Sequence, residues 1–319
     1  VPDYRLDKLT EMIEPKKTVP TTFEFTDIAG LVRGASRGEG LGNKFLGNIR
    51  ETDAICEVVR CFRDKDVTHV DGDVDPIRDI ETINLELIMA DLETVEKRIG
   101  RLEKKAKSGD KEAKAEMSVL EKLKPTLEAN KPARSIEFDK EEMLIVKQYT
   151  LLTMKPLIYV ANLGEEDLED PMQNPYYVQV LEFAKEEGSD VVPICAKIEA
   201  ELVGMDKEEK AMFMQDLGIE ESGLDKLIKE AYSLLGLRTY FTAGVQEVRA
   251  FKEGMTAPEM AGIIHSDFQR GFIKAETYSF DDLVKYGSEH ALKEAGKIRQ
   301  EGKQYVGQDG DIMLFKFNV

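Results

Sequence analysis

The stretch Phe23-Glu-Phe-Thr-Asp27-Ile-Ala-Gly30 decides how the rest of the sequence is interpreted. Residues 19–26 alternate in polarity and are rich in β-branched and aromatic side chains, which predicts a strand that ends at Asp27. A carboxylate at the carboxyl end of a parallel strand faces the ligand crevice of an α/β sheet, where it can hold Mg²⁺ through a water. The backbone N–H of Gly30 can approach a γ-phosphate closely, because glycine has no Cβ.

Further apolar runs extend this pattern along the chain. They predict buried parallel strands at 54–62, 155–162 and 190–197. Predicted helices alternate with them at 45–52, 139–152 and 178–187. The alternation indicates an α/β fold, a doubly wound parallel sheet of P-loop NTPase type. A simple Asp-x-x-Gly turn after residue 26 is the alternative to a phosphate-sensing site.

Two of the predicted strands end on polar motifs. The run at 155–162 ends on Asn162, followed by Leu163 and Glu165, and the run at 190–197 ends on Cys195, Ala196 and Lys197. In this order, these strand ends match the later nucleotide-binding motifs of a GTPase-type domain.

Glu165 bears on the choice of base. It occupies the place of the Asp that binds guanine in GTPases, and its side chain is one methylene longer, so guanine discrimination should weaken. The motif therefore predicts tolerance of ATP or preference for it, with Asn162 orienting the base loop. A plain turn at 162–165 is the alternative.

The middle and the end of the chain have other patterns. Apolar residues at spacings of three and four between 80 and 129, interrupted at Ser108-Gly109-Asp110, predict an antiparallel, coiled-coil-like helical hairpin. From Gly236, strands are predicted at 239–243, 245–251 and 312–317, and short helices at 256–264, 280–286 and 290–301. This indicates a small α+β domain, the region most suited to a ribosomal or nucleic-acid contact because its charges are nearly balanced.

The composition of the chain excludes several classes of binding partner. The chain has 319 residues and a net charge of −18, which argues against a general nucleic-acid coat and against specific DNA binding. No apolar run is long enough for a membrane span, so no membrane partner is expected. Cys56, Cys61 and Cys195 form neither a metal-binding nor a disulfide pattern, which favours a reducing, cytoplasmic location.

Several motifs resemble the YchF-type Obg-like ATPase family. They are Asp27-Ile-Ala-Gly-Leu-Val-Arg-Gly-Ala-Ser36, Gly38-Glu-Gly-Leu-Gly42, Asn48-Ile-Arg-Glu-Thr52, Asn162-x-x-Glu165 and Thr239-Tyr-Phe-Thr-Ala-Gly244. The resemblance implies an Obg-type G domain at 1–79 and 139–235, a coiled-coil insertion at 80–138 and a TGS domain of β-grasp type at 236–319. It also implies hydrolysis of ATP in preference to GTP, a requirement for Mg²⁺, and a ribosomal partner, with the large subunit or ribosome-associated factors as the expected contact.

The sequence departs from that family at the phosphate-binding loop. No G-x-x-x-x-G-K-[ST] motif occurs in it, and the first residue is Val1 rather than Met. We therefore expect that roughly 40–50 family residues precede this chain, on the order of one and a half βαβ lengths. On that expectation the intact protein is an ATPase, whereas this chain alone does not bind phosphates.

The expected catalytic residue is His69. Leu31 stands where Ras-like enzymes position water with a Gln, and an apolar side chain cannot orient a water. The resemblance assigns this role to His69, since a neutral His can accept a proton from water or fix its position. A solvent-facing loop histidine is the alternative for His69. For the whole chain the alternative is an adaptor that binds the ribosome or a protein independently of nucleotide.

Overall fold

The computed structural model describes residues 1–28, 42–64, 72–242 and 247–318, with side chains in the helix at 42–50 described from Phe45 onward. The chain divides into two compact units, one formed by Val1–Phe25 with Ile228–Val319 and the other by Thr26–Leu227. The sequence placed residues 1–25 with the parallel sheet, whereas the structure groups them with the C-terminal residues. Assignment of three named domains stays a prediction. None of the described helices combines the length and apolar character of a membrane span.

The unit Thr26–Leu227 contains a parallel sheet. Its strands are β1 (Ile55–Arg60), β2 (Leu157–Asn162) and β3 (Asp190–Ile194), in the order β1-β2-β3. In β2, every residue before Asn162 is buried, because the strand has a neighbour on each side. The predicted parallel α/β sheet is thus confirmed.

Helices connect and flank these strands. Along the chain they are α2 (Gly42–Arg50), α3 (Pro76–Lys107), α4 (Lys111–Glu128), α5 (Lys140–Lys147), α6 (Pro175–Glu187), α7 (Ala196–Leu202), α8 (Lys207–Asp216) and α9 (Gly223–Leu234), whose residues from Ile228 onward are grouped with the other unit. Helix α1 (Tyr4–Ile13) belongs to the other unit. Helix α5 begins with a reciprocal capping box, in which Asp139 accepts from the N–H of Glu142 and Glu142 accepts from the N–H of Asp139. The helix predicted at 139–152 thus begins where expected and ends earlier, at Lys147.

Helices α3 and α4 form the predicted antiparallel hairpin. Gly109 adopts a φ of +96° at the turn, which favours glycine. Asp110 then caps α4 by accepting from the Ala113 N–H at 2.9 Å. The seam is an apolar cluster of Val95 on α3 with leucines of α4: Leu120, Leu123 and Leu127.

Two polar contacts fix the base of this hairpin. Asp91 of α3 is fully buried and accepts hydrogen bonds from the backbone N–H groups of Leu152 and Thr153, at 2.8 and 2.7 Å. The Tyr159 hydroxyl of β2 accepts from Asn84 of α3 at 3.2 Å and donates to Glu187 of α6 at 2.8 Å. The hairpin is therefore joined by hydrogen bonds to the central strand of the sheet.

The other unit is built on a mixed five-stranded sheet. Its strands are β4 (Leu237–Thr242), β5 (Val248–Lys252), β6 (Phe272–Ser279), β7 (Arg299–Glu301) and β8 (Asp311–Phe317), in the order β5-β4-β8-β6-β7. Its helices are α10 (Ala257–Ile264), α11 (Ser266–Arg270), α12 (Phe280–Tyr286) and α13 (Glu289–Glu294). Leu6 and Leu9 of α1 pack against Phe241 and Ile312 of this sheet, which explains why the N-terminal residues belong to this unit.

Three sequence predictions of secondary structure were wrong. Residues 19–26 form no strand. Val19 makes one isolated bridge to Glu247, and residues 20–28 pair with none of the strands that the structure describes. The helix predicted at 290–301 ends at Glu294, because Gly296 turns the backbone with a φ of +66° and β7 then pairs with β6. Strand β6 was missed, since a register shift near its start breaks the alternation.

Candidate functional site

The carboxyl ends of β2 and β3 carry the site residues that the structure brings together. The Asn162 carbonyl accepts from the Cys61 N–H at 2.8 Å, and the Leu163 N–H donates to the Ile194 carbonyl at 2.7 Å. Ladder hydrogen bonding thus continues past the end of β2 on both sides. The loop that begins at Leu163 consequently leaves the sheet from a fixed position.

Asn162 links this loop to the next one. Its Oδ1 accepts a hydrogen bond from the backbone N–H of Ala196 at 3.0 Å, across the gap between the two strand ends. Cys195 is buried and starts α7 without a side-chain capping bond, whereas Ala196 and Lys197 are exposed. Asn162 is therefore bonded to the loop after β3. Its role in orienting a base loop, and nucleotide binding by either loop, stay predictions.

Glu165 and Lys197 form an ion pair across the same gap. Lys197 Nζ lies 2.7 Å from Glu165 Oε1, with exposed side-chain fractions of 71% and 42%. The hydrogen bond and the negative charge of Glu165 raise the pKa of Lys197. Since both side chains reach solvent, the pair can open at little cost when a ligand approaches. This pair was not foreseen, because it depends on the distance between two loops.

Asn174 is a supporting residue that the sequence analysis missed. Its amide Nδ2 donates to the Cys61 carbonyl at 2.8 Å and to Asp167 at 2.7 Å, and its Oδ1 caps the first turn of α6. It therefore joins the end of β1 to the loop that carries Glu165. The Asn-Pro pair at 174–175 was the available signal, since Asn is a frequent N-cap and Pro a frequent first helical residue.

Gly223 is a second missed residue. Its N–H donates to Glu199 Oε1 at 2.6 Å, and a Cβ at this position would lie 2.6 Å from Ile194 Cγ2. The start of α9 can pack this closely against the end of β3 only because glycine has no side chain. A glycine in an acidic helical region gave no specific signal of this contact.

The remaining predicted site residues lie elsewhere or outside the described residues. Asp27 is exposed, and the neighbouring Ile28 packs against the cluster of Leu46, Ile49 and Leu87 rather than against the two loops. Gly30 and His69 fall in ranges that the structure does not describe. In the described ranges, no three His, Cys, Asp or Glu side chains come together as metal ligands. One exposed carboxylate is still compatible with Mg²⁺, because that ion takes most of its ligands from water and phosphates.

Comparisons with known proteins place this geometry in a family. The family model YchF-GTPase_C, described as a protein of unknown function (DUF933), matches residues 237–318. The chain is 62% identical to the Ribosome-binding ATPase YchF of Bacillus subtilis and 56% identical to that of Haemophilus influenzae, in each case over all of this chain and 88% of the relative.

A solved structure agrees with these relatives. The structure of the Schizosaccharomyces pombe YchF GTPase superposes with a TM-score of 0.88 at 39% identity, covering 99% of this chain and 86% of that one. Because the likeness holds in sequence and in fold along the whole chain, the chain belongs to the YchF family.

Proposed function

We propose that this chain is the main part of a ribosome-associated nucleotide hydrolase that prefers ATP, tolerates GTP and acts as a molecular switch. The observation that carries the proposal is the hydrogen bond from Ala196 to Asn162, which holds two loops together at the carboxyl edge of a parallel sheet. Ligands of open α/β sheets bind at this edge. The curated relatives in Bacillus subtilis and Haemophilus influenzae are named ribosome-binding ATPases, which supports the activity and the partner.

Glu165 supports the preference for ATP. A GTPase recognises guanine by a short carboxylate that accepts two hydrogen bonds from the base, and the longer Glu side chain fits that geometry poorly. Here the carboxylate is also paired with Lys197, so guanine would have to compete with an existing partner. A pocket that does not select guanine can also accept adenine, as an ATPase requires.

Asp27 and Mg²⁺ belong to the phosphate end of the proposed site. The exposed Asp27 carboxylate would hold a hydrated Mg²⁺ ion, with Gly30 contributing its backbone N–H to the γ-phosphate. Bound Mg²⁺ supplies neutralisation of the charge that develops on the phosphates. We propose that His69 positions the attacking water, the role that the resemblance assigns to it.

An adaptor without hydrolysis is the second candidate. It is favoured by Leu31, an apolar residue at the position where Ras-like enzymes place the Gln that orients the attacking water. An adaptor would bind ribosomes equally well with and without nucleotide. A hydrolysing switch would bind with an affinity that changes between the triphosphate and diphosphate states.

Calorimetric titration with Mg²⁺-ATP and Mg²⁺-GTP tests the base preference in the intact protein, because this chain alone is not expected to bind phosphates. ATP should bind more tightly, and Glu165→Asp should shift the ratio of the two affinities toward GTP by about tenfold, the value of one good charged hydrogen bond. The matched control is Glu166→Asp, an exposed neighbour that should leave the ratio unchanged. An unchanged ratio in Glu165→Asp would remove this residue from base recognition, and no binding of either nucleotide by the intact protein would favour the adaptor.

His69→Ala tests the proposed catalytic residue. In the intact protein, turnover should fall by ~10²-fold or more, the usual contribution of a positioned acid or base, with nucleotide affinity retained. His290→Ala is the control, because His290 is an exposed residue of α13 in the other unit. Turnover at the normal rate in His69→Ala would show that another group positions the attacking water.

A further inference from the structure

The far end of the α3–α4 hairpin differs in charge from the rest of the chain. We call residues 101–114 the hairpin tip and residues 76–100 with 115–128 the hairpin shaft. The tip contains six basic and three acidic residues, although the whole chain has a net charge of −18. All six basic side chains are exposed: Arg101, Lys104, Lys105, Lys107, Lys111 and Lys114.

The shaft neutralises its cations locally. Each of its five Lys and Arg residues lies within ion-pair distance of an acidic side chain: Arg78 with Asp79, Lys97 with Glu93, Arg98 with Glu116, Lys122 with Glu142, and Lys124 with Glu96 and Glu128. Positive and negative side chains therefore alternate and pair on the surface of the hairpin shaft, as is usual for exposed helices.

The tip does not neutralise its cations in this way. Among its six basic residues, all of which the structure describes, only Lys107 has an ion pair, with Glu103. Asp110 is engaged as the cap of α4, where it accepts from the Ala113 N–H. Five cations consequently remain exposed without an ion-pair partner among the acidic residues that the structure describes.

Helix stability accounts for only part of this arrangement. Cations in the last turn of α3 are favoured by the helix dipole, which covers Lys104, Lys105 and Lys107. Lys111 and Lys114 lie in the first turn of α4, where the dipole disfavours positive charge. Local stability therefore opposes two of the lysines, which points to a partner outside the chain.

The tip has the chemistry of a surface that recognises charge alone. The hairpin has no exposed large apolar side chain between residues 86 and 128, so it lacks the anchor that a protein hot spot or a membrane-inserted helix requires. It also has no aromatic residue on which an unpaired base could stack. Lysine and arginine without apolar or stacking groups suit the phosphate backbone of a nucleic-acid duplex.

We propose that the hairpin tip binds the phosphate backbone of double-helical ribosomal RNA. This inference rests on the ribosome association put forward under the proposed function, and it assigns that association to one surface. Side chains three and four residues apart on a helix are roughly 5–6 Å apart, so Arg101 with Lys104 and Lys111 with Lys114 each form an adjacent pair of cations. Two such pairs can contact successive phosphates without reading any base.

The test compares two variants with the same change in charge. The tip variant carries Lys104→Gln, Lys111→Gln and Lys114→Gln, and the shaft control carries Lys97→Gln, Lys122→Gln and Lys124→Gln. Binding to purified Bacillus subtilis ribosomes is measured by cosedimentation over a salt series, and then to protein-free ribosomal RNA. Circular dichroism verifies that each variant keeps its helix content.

The tip variant should bind ribosomes and RNA about 10- to 100-fold more weakly near 0.1 M salt, and the slope of log affinity against log salt should become shallower by about 2 to 3. The shaft control should keep the wild-type affinity and slope. Ribosome binding by the wild type with no difference between the variants would overturn the tip as the contact, while ribosome association itself would stand. Weakening by the tip variant on ribosomes but not on protein-free RNA would overturn the choice of RNA in favour of an acidic ribosomal protein. Failure of the wild type to bind ribosomes at all would instead refute the proposed association on which the inference rests.

Discussion

Replacement of Asp91 by alanine should loosen the base of the hairpin. The Asp91 carboxylate is fully buried and accepts three hydrogen bonds: from the Leu152 N–H at 2.8 Å, from the Thr153 N–H at 2.7 Å and from the Thr153 hydroxyl at 2.7 Å. Asp91→Ala leaves these three donors without their acceptor. The short turn that leads into β2 then loses its connection to α3.

The expected cost follows from the donors left unpaired. Each unsatisfied buried donor costs about 1–3 kcal/mol, so three of them set an upper range of about 3–9 kcal/mol. Water entering the gap and release of the buried charge reduce this value, and alanine favours the helix by up to about 0.7 kcal/mol. We expect a net loss of about 3–5 kcal/mol in the free energy of unfolding, the range typical of a broken buried network.

Two measurements report this loss. Urea unfolding followed by circular dichroism gives the free energy for the helical part of the chain, and hydrogen exchange gives the protection of the amides at 152 and 153. Both amides should exchange much faster in Asp91→Ala. The control is Asp110→Ala, which removes the exposed cap of α4, should cost about 0.5–2 kcal/mol, and should leave protection at 152 and 153 unchanged. Wild-type protection of both amides in Asp91→Ala would refute the reasoning.

Three further substitutions test the site and the buried charge. Asn162→Ala removes the hydrogen bond to the loop after β3, so we expect a loss of about 0.5–1.5 kcal/mol in stability and a several-fold weaker nucleotide affinity, measured by urea unfolding and calorimetry. Gly223→Ala places a Cβ 2.6 Å from Ile194 Cγ2, which should destabilise the chain by about 1–3 kcal/mol in the same unfolding assay. Burial, followed by the charge of Glu187, raises the pKa of Glu57 well above 4.5. The contribution of protonated Glu57 to stability should therefore be full below pH 4.5 and be lost as pH rises through the raised pKa. Glu57→Gln should lack this loss, so the difference in unfolding free energy between the wild type and Glu57→Gln should change between about pH 4 and pH 8.

Each of these substitutions has a control in the same chain. Asn48→Ala changes an exposed asparagine of α2, so it should leave nucleotide affinity unchanged and should not lower stability, because alanine is the better helix former. Gly47→Ala adds a Cβ with nothing within 4 Å and should stabilise α2 by about 0.5–1 kcal/mol. If Gly223→Ala is as stable as Gly47→Ala, the close approach to β3 is unimportant. If the free energy of unfolding of Glu57→Gln depends on pH in the same way as that of the wild type, another carboxyl group causes the loss of stability.

Part of the fold could be predicted because local patterns determine it. The strands that end at Arg60 and Asn162 are short, largely apolar runs, and the hairpin repeats its leucines at three and four residues, which are signals carried by each segment alone. Residues 19–26 have an equally good strand pattern, with Phe23 and Phe25 in ring contact at 5.0 Å, yet a strand also needs a partner for its backbone groups.

The candidate site was predicted in outline only. The sequence indicated that Asn162 and Ala196 follow neighbouring strands, and the parallel order of these strands brings them within hydrogen-bond distance. The ion pair between Glu165 and Lys197 and the tight contact at Gly223 depend on how two or three loops fold over one another. Such distances are a property of the tertiary structure, and single segments do not encode them.

The hydrogen bonds of the Tyr159 hydroxyl give the hairpin a mechanical consequence. They attach Asn84 of α3 to Tyr159 of β2, and Tyr159 lies three residues before Asn162. From Asn84, α3 continues to Lys107 over about 35 Å, at a rise of about 1.5 Å per residue. If the helix pair tilts as a rigid lever about Asn84, its fulcrum lies against β2, the strand that ends at Asn162. A tilt of about 5° at the fulcrum would sweep the far end through about 3 Å over that length, half the spacing of neighbouring turns of a helix.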